Sequence, residues 1–135
     1  MNKIIIYCDG AARGNPGPAA AGAILLDEKK QVVAEISKYL GETTNNQAEY
    51  QALGLALEEA KKQKASNVII FADSELMVKQ IKGEYRVKNH GLKPLFQTLI
   101  TQLRSFESFS INHIPREKNK QADALANRAL DERVL

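Results

Sequence analysis

Four acids in this 135-residue chain, Asp9, Glu49, Asp73 and Asp123, stand where carboxylates can act together. Asp9 ends a β-rich run from Lys3 to Cys8, and Asp73 ends the apolar run from Val68 to Ala72. Where such runs become neighbouring parallel strands of an open α/β sheet, their carboxyl ends converge on one crevice. Glu49 and Asp123 each lie four residues after an asparagine that can begin a helix, Asn45 and Asn119. That position favours a negative charge through the backbone dipole. Four converging acids repel one another unless a cation sits between them, and a hard divalent ion with oxygen ligands answers that need. Two such ions roughly 3.5–4 Å apart can activate a water and stabilise the leaving oxygen of phosphodiester hydrolysis. Any one of these acids has a plainer use as a helix cap or strand terminator, Asp73 beside Ser74 most of all. All four being caps by coincidence is the less economical reading.

The elements that must position them follow from periodicity. Lys3 to Cys8, Ala20 to Leu26 and Gln31 to Tyr39 read as three strands, with a polar turn at Asp27-Glu28-Lys29-Lys30. Short links make their pairing antiparallel. Gly10 to Pro18 reads as Gly/Pro punctuation outside regular structure. From Asn46 to Lys62 the apolar residues fall mostly at helical spacing, and Thr44 with Gln47 forms a capping box. Val68 to Ala72 reads as a strand covered on both faces. Ser74 to Lys82 and Leu92 to Arg104 read as helices, and Phe109 to Ile114 as a final strand stopped by Pro115. The last helix starts near Asn119 and buries Ala122, Leu125, Ala126, Ala129 and Leu130. The order is βββ-α-β-α-α-β-α: a mixed sheet with helical crossovers.

Totals fit one domain over residues 1–135, with 44% apolar and 26% charged residues. No apolar run approaches the roughly 20 residues that cross a bilayer, so no membrane partner is expected. One cysteine forms no internal disulfide, which makes a cytoplasmic location the expectation. Cys8 itself reads as core. The net charge of +3 is mild, but Lys79, Lys82, Arg86, Lys88, Lys93 and Arg104 face only Glu84 in their segment. A basic segment beside an acidic cluster suits a polyanion held by cations while carboxylates hold metal, although a solvated helix face has the same composition.

Four stretches of the chain are similar to the ribonuclease H type 1 family: Tyr7 to Pro18, Thr43 to Glu49, Asp73-Ser74, and His113 to Ala126. The likeness runs over essentially the whole chain, with the motifs in order on the expected elements. It implies an α/β ribonuclease H-like fold, a five-stranded mixed sheet of three antiparallel strands then two parallel ones, flanked by helices. It also implies an endoribonuclease hydrolysing the RNA strand of RNA–DNA hybrids by two-metal-ion catalysis. Two Mg²⁺ or Mn²⁺ ions would sit on Asp9, Glu49, Asp73 and Asp123. The resemblance assigns Asn15, Asn45 and Asn46 to ribose 2′-hydroxyls, which suits an amide that both donates and accepts. Gly10 would bring backbone close to the substrate groove, and Thr44 would help bind a DNA-strand phosphate. His113, ten residues before Asp123, has the spacing of the family's auxiliary histidine. Arg116, seven before Asp123, stands where some relatives use a basic residue instead. His90 reads as surface.

Two departures bear on substrate. Glu42 stands two residues before Thr44, where some members carry arginine. Only Glu84 to Lys93 separates two helices where many relatives place a long basic protrusion, so a full extra helix is not expected there. Arg86, Lys88 and Lys93 supply part of that function, and hybrid binding should be weaker or more salt-sensitive than in protrusion-bearing relatives. The chain is expected to act as a monomer on RNA–DNA hybrid without an obligate protein partner. The alternatives are a catalytically silent nucleic-acid-binding module of the same fold, or a nuclease that also accepts double-stranded RNA. The complete set of acids argues against the first; the asparagines favour RNA-strand recognition without excluding duplex RNA.

Overall fold

The computed structural model describes residues 2–133. Ten residues of β1 (Lys3–Ala12) open the chain, and Ile4, Ile6 and Cys8 alternate into the core, as β-branched residues do on a half-covered pleat. β2 (Gly17–Leu26) and β3 (Val32–Thr43) follow in antiparallel pairing. β4 (Asn67–Ala72) then lies parallel to β1, and β5 (Ser108–His113) parallel to β4, giving the sheet order β3-β2-β1-β4-β5. The expected fold class is the observed one: three antiparallel strands then two parallel, with helices as crossovers.

α1 (Asn45–Lys62) carries alanines at 48, 52, 56 and 60, one per turn, all buried. Small side chains at that spacing let the helix axis lie close to the sheet. α2 (Glu75–Ile81) and α3 (Lys93–Arg104) share the core on the same side, where Leu99 and Leu103 of α3 meet α1 and Met77, Val78 and Ile81 come from α2. On the opposite face α4 (Lys120–Glu132) buries Ala122, Leu125, Ala126, Ala129 and Leu130, the five residues its periodicity selects. The alanines of β2 at 19, 20, 21 and 23 are fully buried between these layers. On the α4 side of the sheet, Tyr7 and Phe71 are register partners on β1 and β4 and stack with ring centroids 5.0 Å apart. Between α2 and α3, residues 82–92 form no helix. Among the described residues, no helix is long and apolar enough to cross a membrane.

Three sequence expectations need correction. Gly10 to Pro18 is mostly strand: Gly10, Ala11 and Ala12 pair with Ala21, Ala20 and Ala19, and Arg13 N donates to Pro18 O at 2.8 Å, leaving a tight turn. Asp9 is therefore interior to β1 rather than at its end. β3 runs on past Tyr39 to Thr43, held by pairing of Gly41, Glu42 and Thr43 with Ala19, Pro18 and Gly17.

Candidate active site

The last parallel pair between β1 and β4 is Cys8 with Ala72, so Asp9, still on β1, and Asp73, just beyond β4, are the next residues of the two neighbouring segments. β1 nonetheless continues, because Asp9 remains paired with Gly22 of β2. Asp9 thus sits where the parallel ladder stops and the antiparallel one carries on.

Glu49 arrives from α1 through a close approach at Gly10. A Cβ on Gly10 would lie 2.2 Å from the carbonyl carbon of Ala48 and 2.3 Å from the nitrogen of Glu49, so only glycine admits the helix backbone there. The Gly10 N–H donates to Glu49 Oε1. Asp123 arrives from α4 in a matching way on the other face: a Cβ on Gly22 would lie 2.1 Å from Ala122 O and 2.5 Å from Ala126 N. Side-chain ligand atoms of Asp9, Glu49 and Asp73 come within 4.8 Å of one another. Asp123 lines the same cavity of about 530 Å³ and contacts the Asp9 carboxyl.

The electrostatics are those of crowded like charges. Asp9 is 7% exposed, and burial, then the charges of Glu49 and Asp73, push its carboxyl up to about 10. Burial raises Glu49 to about 7, a rise held back by the Gly10 N–H, by the Asp9 contact and, more weakly, by the Arg116 guanidinium, while Asp73 adds to it. Cys8 beneath them is raised well above its usual value, first by burial and then by Glu49, Asp9 and Asp73. It is a core residue, as expected.

The helix starts lie where they were expected: Asn45 is the first residue of α1, and Asn119 directly precedes α4. Thr44, not Asn45, caps α1: its hydroxyl accepts from Gln47 N at 3.1 Å, and the Gln47 side chain returns to Thr44 N at 3.4 Å. Glu49 lies beyond the first turn of α1, so its placement comes from Gly10 rather than from the helix terminus. Likewise Ser74, not Asp73, caps α2 by accepting from Met77 N at 3.2 Å, which leaves the Asp73 carboxylate free of that task. Asn119 occupies the N-cap position of α4 but makes no capping bond with its side chain.

Asn15 at the β1–β2 turn accepts from Asn45 N at 3.0 Å, and Asn45 accepts from Ala12 N at 2.9 Å. These bonds stitch the turn to the start of α1, and Asn45 and Asn46 line the cavity. Arg13 ties the same turn to α4 through Asp131 Oδ1 at 2.7 Å and Asn127 Oδ1 at 3.4 Å. Of the two auxiliary candidates, Arg116, on the 3-10 turn Arg116–Lys118, lines the cavity. His113, exposed at the end of β5, does not line it. Sequence reasoning missed Asn127, which also lines the cavity; its position one turn after Asp123 on the same helix face is the signal that would have found it.

The sheet order, with one acid inside β1, one just beyond β4 and one on a helix from each face, is that of a ribonuclease H-like α/β fold. Residues 7–129 match the family described as reverse transcriptase-like. The chain is 42% identical over 130 residues to ribonuclease HI of Halobacterium salinarum, covering 96% of this chain. It is 34% identical over 146 residues to ribonuclease H of Alcanivorax borkumensis, covering 98% of this chain and 94% of that one. The crystal structure of LC11-RNase H1 in complex with an RNA/DNA hybrid is 44% identical with a TM-score of 0.93, over 98% of this chain and 99% of the other. The chain belongs to the ribonuclease H family. It spans 65% of the length of the Halobacterium protein and 36% of a related bifunctional protein of Mycobacterium tuberculosis.

Proposed function

We propose that this chain is a metal-dependent endoribonuclease that hydrolyses the RNA strand of RNA–DNA hybrids. The observation that carries the reading is the approach of Asp9, Glu49 and Asp73 to within 4.8 Å of one another in a cavity that also presents Asn45 and Asn46. The hybrid bound to the related LC11 enzyme supports the choice of substrate.

The donor set fits hard divalent cations. It consists of carboxylate oxygens whose burial and mutual repulsion favour binding either protons or cations. Asp9, Glu49, Asp73 and Asp123 would hold two Mg²⁺ or Mn²⁺ ions, which when bound supply an activated water and neutralise charge at the scissile phosphate. The Gly10 N–H favours the ionised form of Glu49 against the rise that burial imposes and fixes the direction of its carboxylate. Arg116 adds a positive charge at the cavity wall, where a phosphate diester would lie.

Recognition of the RNA strand rests on the asparagines. The amide oxygens of Asn15 and Asn45 are engaged by backbone N–H groups, so each presents its NH₂ as a donor. A ribose 2′-hydroxyl offers the acceptor that deoxyribose lacks. Asn46 is exposed beside them and joins the same contact, while Gly10 brings β1 backbone close to the groove. The Thr44 hydroxyl, already a cap, is assigned to a DNA-strand phosphate, and the exposed Arg86, Lys88 and Lys93 to weaker backbone contacts. Every group in this scheme comes from one chain, which we take to be a single domain acting as a cytoplasmic monomer.

The test is incubation of the protein with end-labelled RNA–DNA hybrid, duplex RNA and duplex DNA, with Mg²⁺, Mn²⁺ or chelator. Cleavage confined to the RNA strand of the hybrid and abolished by chelator is expected. Asp73→Asn should stay folded and lose cleavage by several orders of magnitude. Binding without cutting in every metal would make the chain a nucleic-acid-binding module, and equal cutting of duplex RNA would make it a broader nuclease.

A further inference from the structure

We propose that Asn119 is a positioning residue that sets the Asp73 carboxylate for cation binding; this rests on the metal-dependent reading above. Asn119 is 1% exposed, and its Nδ2 donates in two directions, to Cys8 O at 2.8 Å and to Asp73 Oδ2 at 3.2 Å. Cys8 is the residue before Asp9, and Asp73 is the residue after the pair that closes the parallel ladder. A single amide therefore spans the gap between the two strands at the place where their own pairing has stopped. It also sits at the head of α4, where Asp123 N bonds back to Asn119 O at 3.1 Å.

Three facts separate this from a plain helix cap. The side chain makes no capping bond, although asparagine is among the best capping residues. Both of its neighbours are acceptors only, a carbonyl and a carboxylate, so the nitrogen must face them and the amide has one permitted orientation. In that orientation Oδ1 is buried without a partner, a cost that a residue chosen for stability alone would avoid. A neutral donor also suits the task. It occupies one oxygen of Asp73 and fixes its rotamer, leaves the other oxygen for the cavity, and adds no positive charge to compete with a divalent ion. Partners that orient a metal-binding carboxylate in this way typically change metal affinity or activity by about 10–100-fold when removed.

The experiment follows thermal unfolding of the intact protein as Mn²⁺ is titrated, for wild type, Asn119→Ala and Asn119→Ser. Wild type should show a metal-induced rise in Tm. In Asn119→Ala the Mn²⁺ concentration at the midpoint of that rise should increase about 10–100-fold. Asn119→Ser keeps a small donor and should fall between the two. A purely structural residue would lower the metal-free Tm and leave that midpoint unchanged, which would overturn the proposal. No metal-induced rise in wild type would instead defeat the metal-site reading itself. A measurement on wild type needs no variant to fold: the Asn119 side-chain amide protons should be protected from exchange and should shift in NMR spectra as Mg²⁺ is added. Rapid exchange, or resonances indifferent to Mg²⁺, would count equally against it.

Discussion

Removing one charge from the carboxylate cluster should make the metal-free protein more stable, and the size of the effect can be worked out. Burial with like charges raises Glu49 from 4.5 to about 7, and Asp9 is raised in the same direction from 3.8. An acid raised on folding contributes nothing below its unfolded value, where both states are protonated. As pH climbs through that value the unfolded chain ionises while the folded one keeps its proton, so stability falls until the folded value is passed. For Glu49 that window runs from 4.5 to about 7, a gap equivalent to roughly 3 kcal/mol. Asp9 and Glu49 each alter the other's ionisation, so the two gaps are not added. About 3 kcal/mol in a domain of this size corresponds to a Tm change of order 10 °C. Glu49→Gln keeps the shape of the side chain and the oxygen that accepts from the Gly10 N–H, and removes the carboxyl whose ionisation burial penalises. In chelator at about pH 8 the variant should melt up to about 10 °C above wild type, and the difference should close near pH 4. Millimolar Mg²⁺ should raise wild type toward the variant and leave the variant almost unmoved. Calorimetry across this pH range in chelator is the assay. A wild type–variant difference that is the same at both ends, or a variant less stable than wild type near pH 8, would refute the electrostatic account.

Gly10→Ala places a methyl 2.2 Å from the Ala48 carbonyl carbon, so α1 must lift from β1. Destabilisation of about 1–3 kcal/mol or more is expected, with loss of cleavage even at temperatures where the variant is folded, because Glu49 moves with the helix. Thermal unfolding and a cleavage assay on the folded variant check this. Arg116→Ala should lower cleavage at saturating Mg²⁺ several-fold without raising the Mg²⁺ concentration needed for half-maximal cleavage, because the guanidinium gives the cavity wall a positive charge for a phosphate diester and does not assist a divalent ion. His113→Ala, outside the cavity, should leave both unchanged in the same titration.

The fold was legible because its elements announce themselves by period and punctuation. The alternation of Ile4, Ile6 and Cys8, the four evenly spaced alanines of α1 and the Thr44–Gln47 capping box all have local causes, and each is found where the pattern puts it. Gly10 was the residue read wrongly. Glycine beside proline-rich sequence suggests a loop, yet Gly10 is in a strand because a helix crosses it, and nothing local to residues 9–18 reveals a helix that begins at Asn45. Asn119 does stand at the start of α4, as its spacing indicated, but the role of its side chain was not legible. Its type and position fit a helix cap, and only the fold shows that two acceptors from distant strands hold its amide away from α4. The acids themselves were recoverable as a group, but their grouping is unequal. Three form the tight cluster, and Asp123 stands at its margin.

The two glycines explain why one strand can serve as the scaffold for the whole site. Gly22 pairs with Asp9, and Gly10 is the next residue of β1, so they expose opposite faces of the sheet at the same level. Over one lies α1 with Glu49, and over the other α4 with Asp123, each seated by backbone-to-backbone approach. All four carboxylates consequently stand on strand or helix backbone, or one residue beyond it, where their positions are fixed to the precision that shared cation binding demands. Asn15 and Arg116 sit instead on turns, one between β1 and β2 and one ahead of α4. A substitution at Asn15 should change which nucleic acid is held without disturbing the acids. Substitutions at Gly22 or Asn119 act on the acids without touching a proposed nucleic-acid contact. Substrate preference and metal dependence should therefore be separable by mutation in this chain, although the residues responsible lie only a few positions apart in sequence.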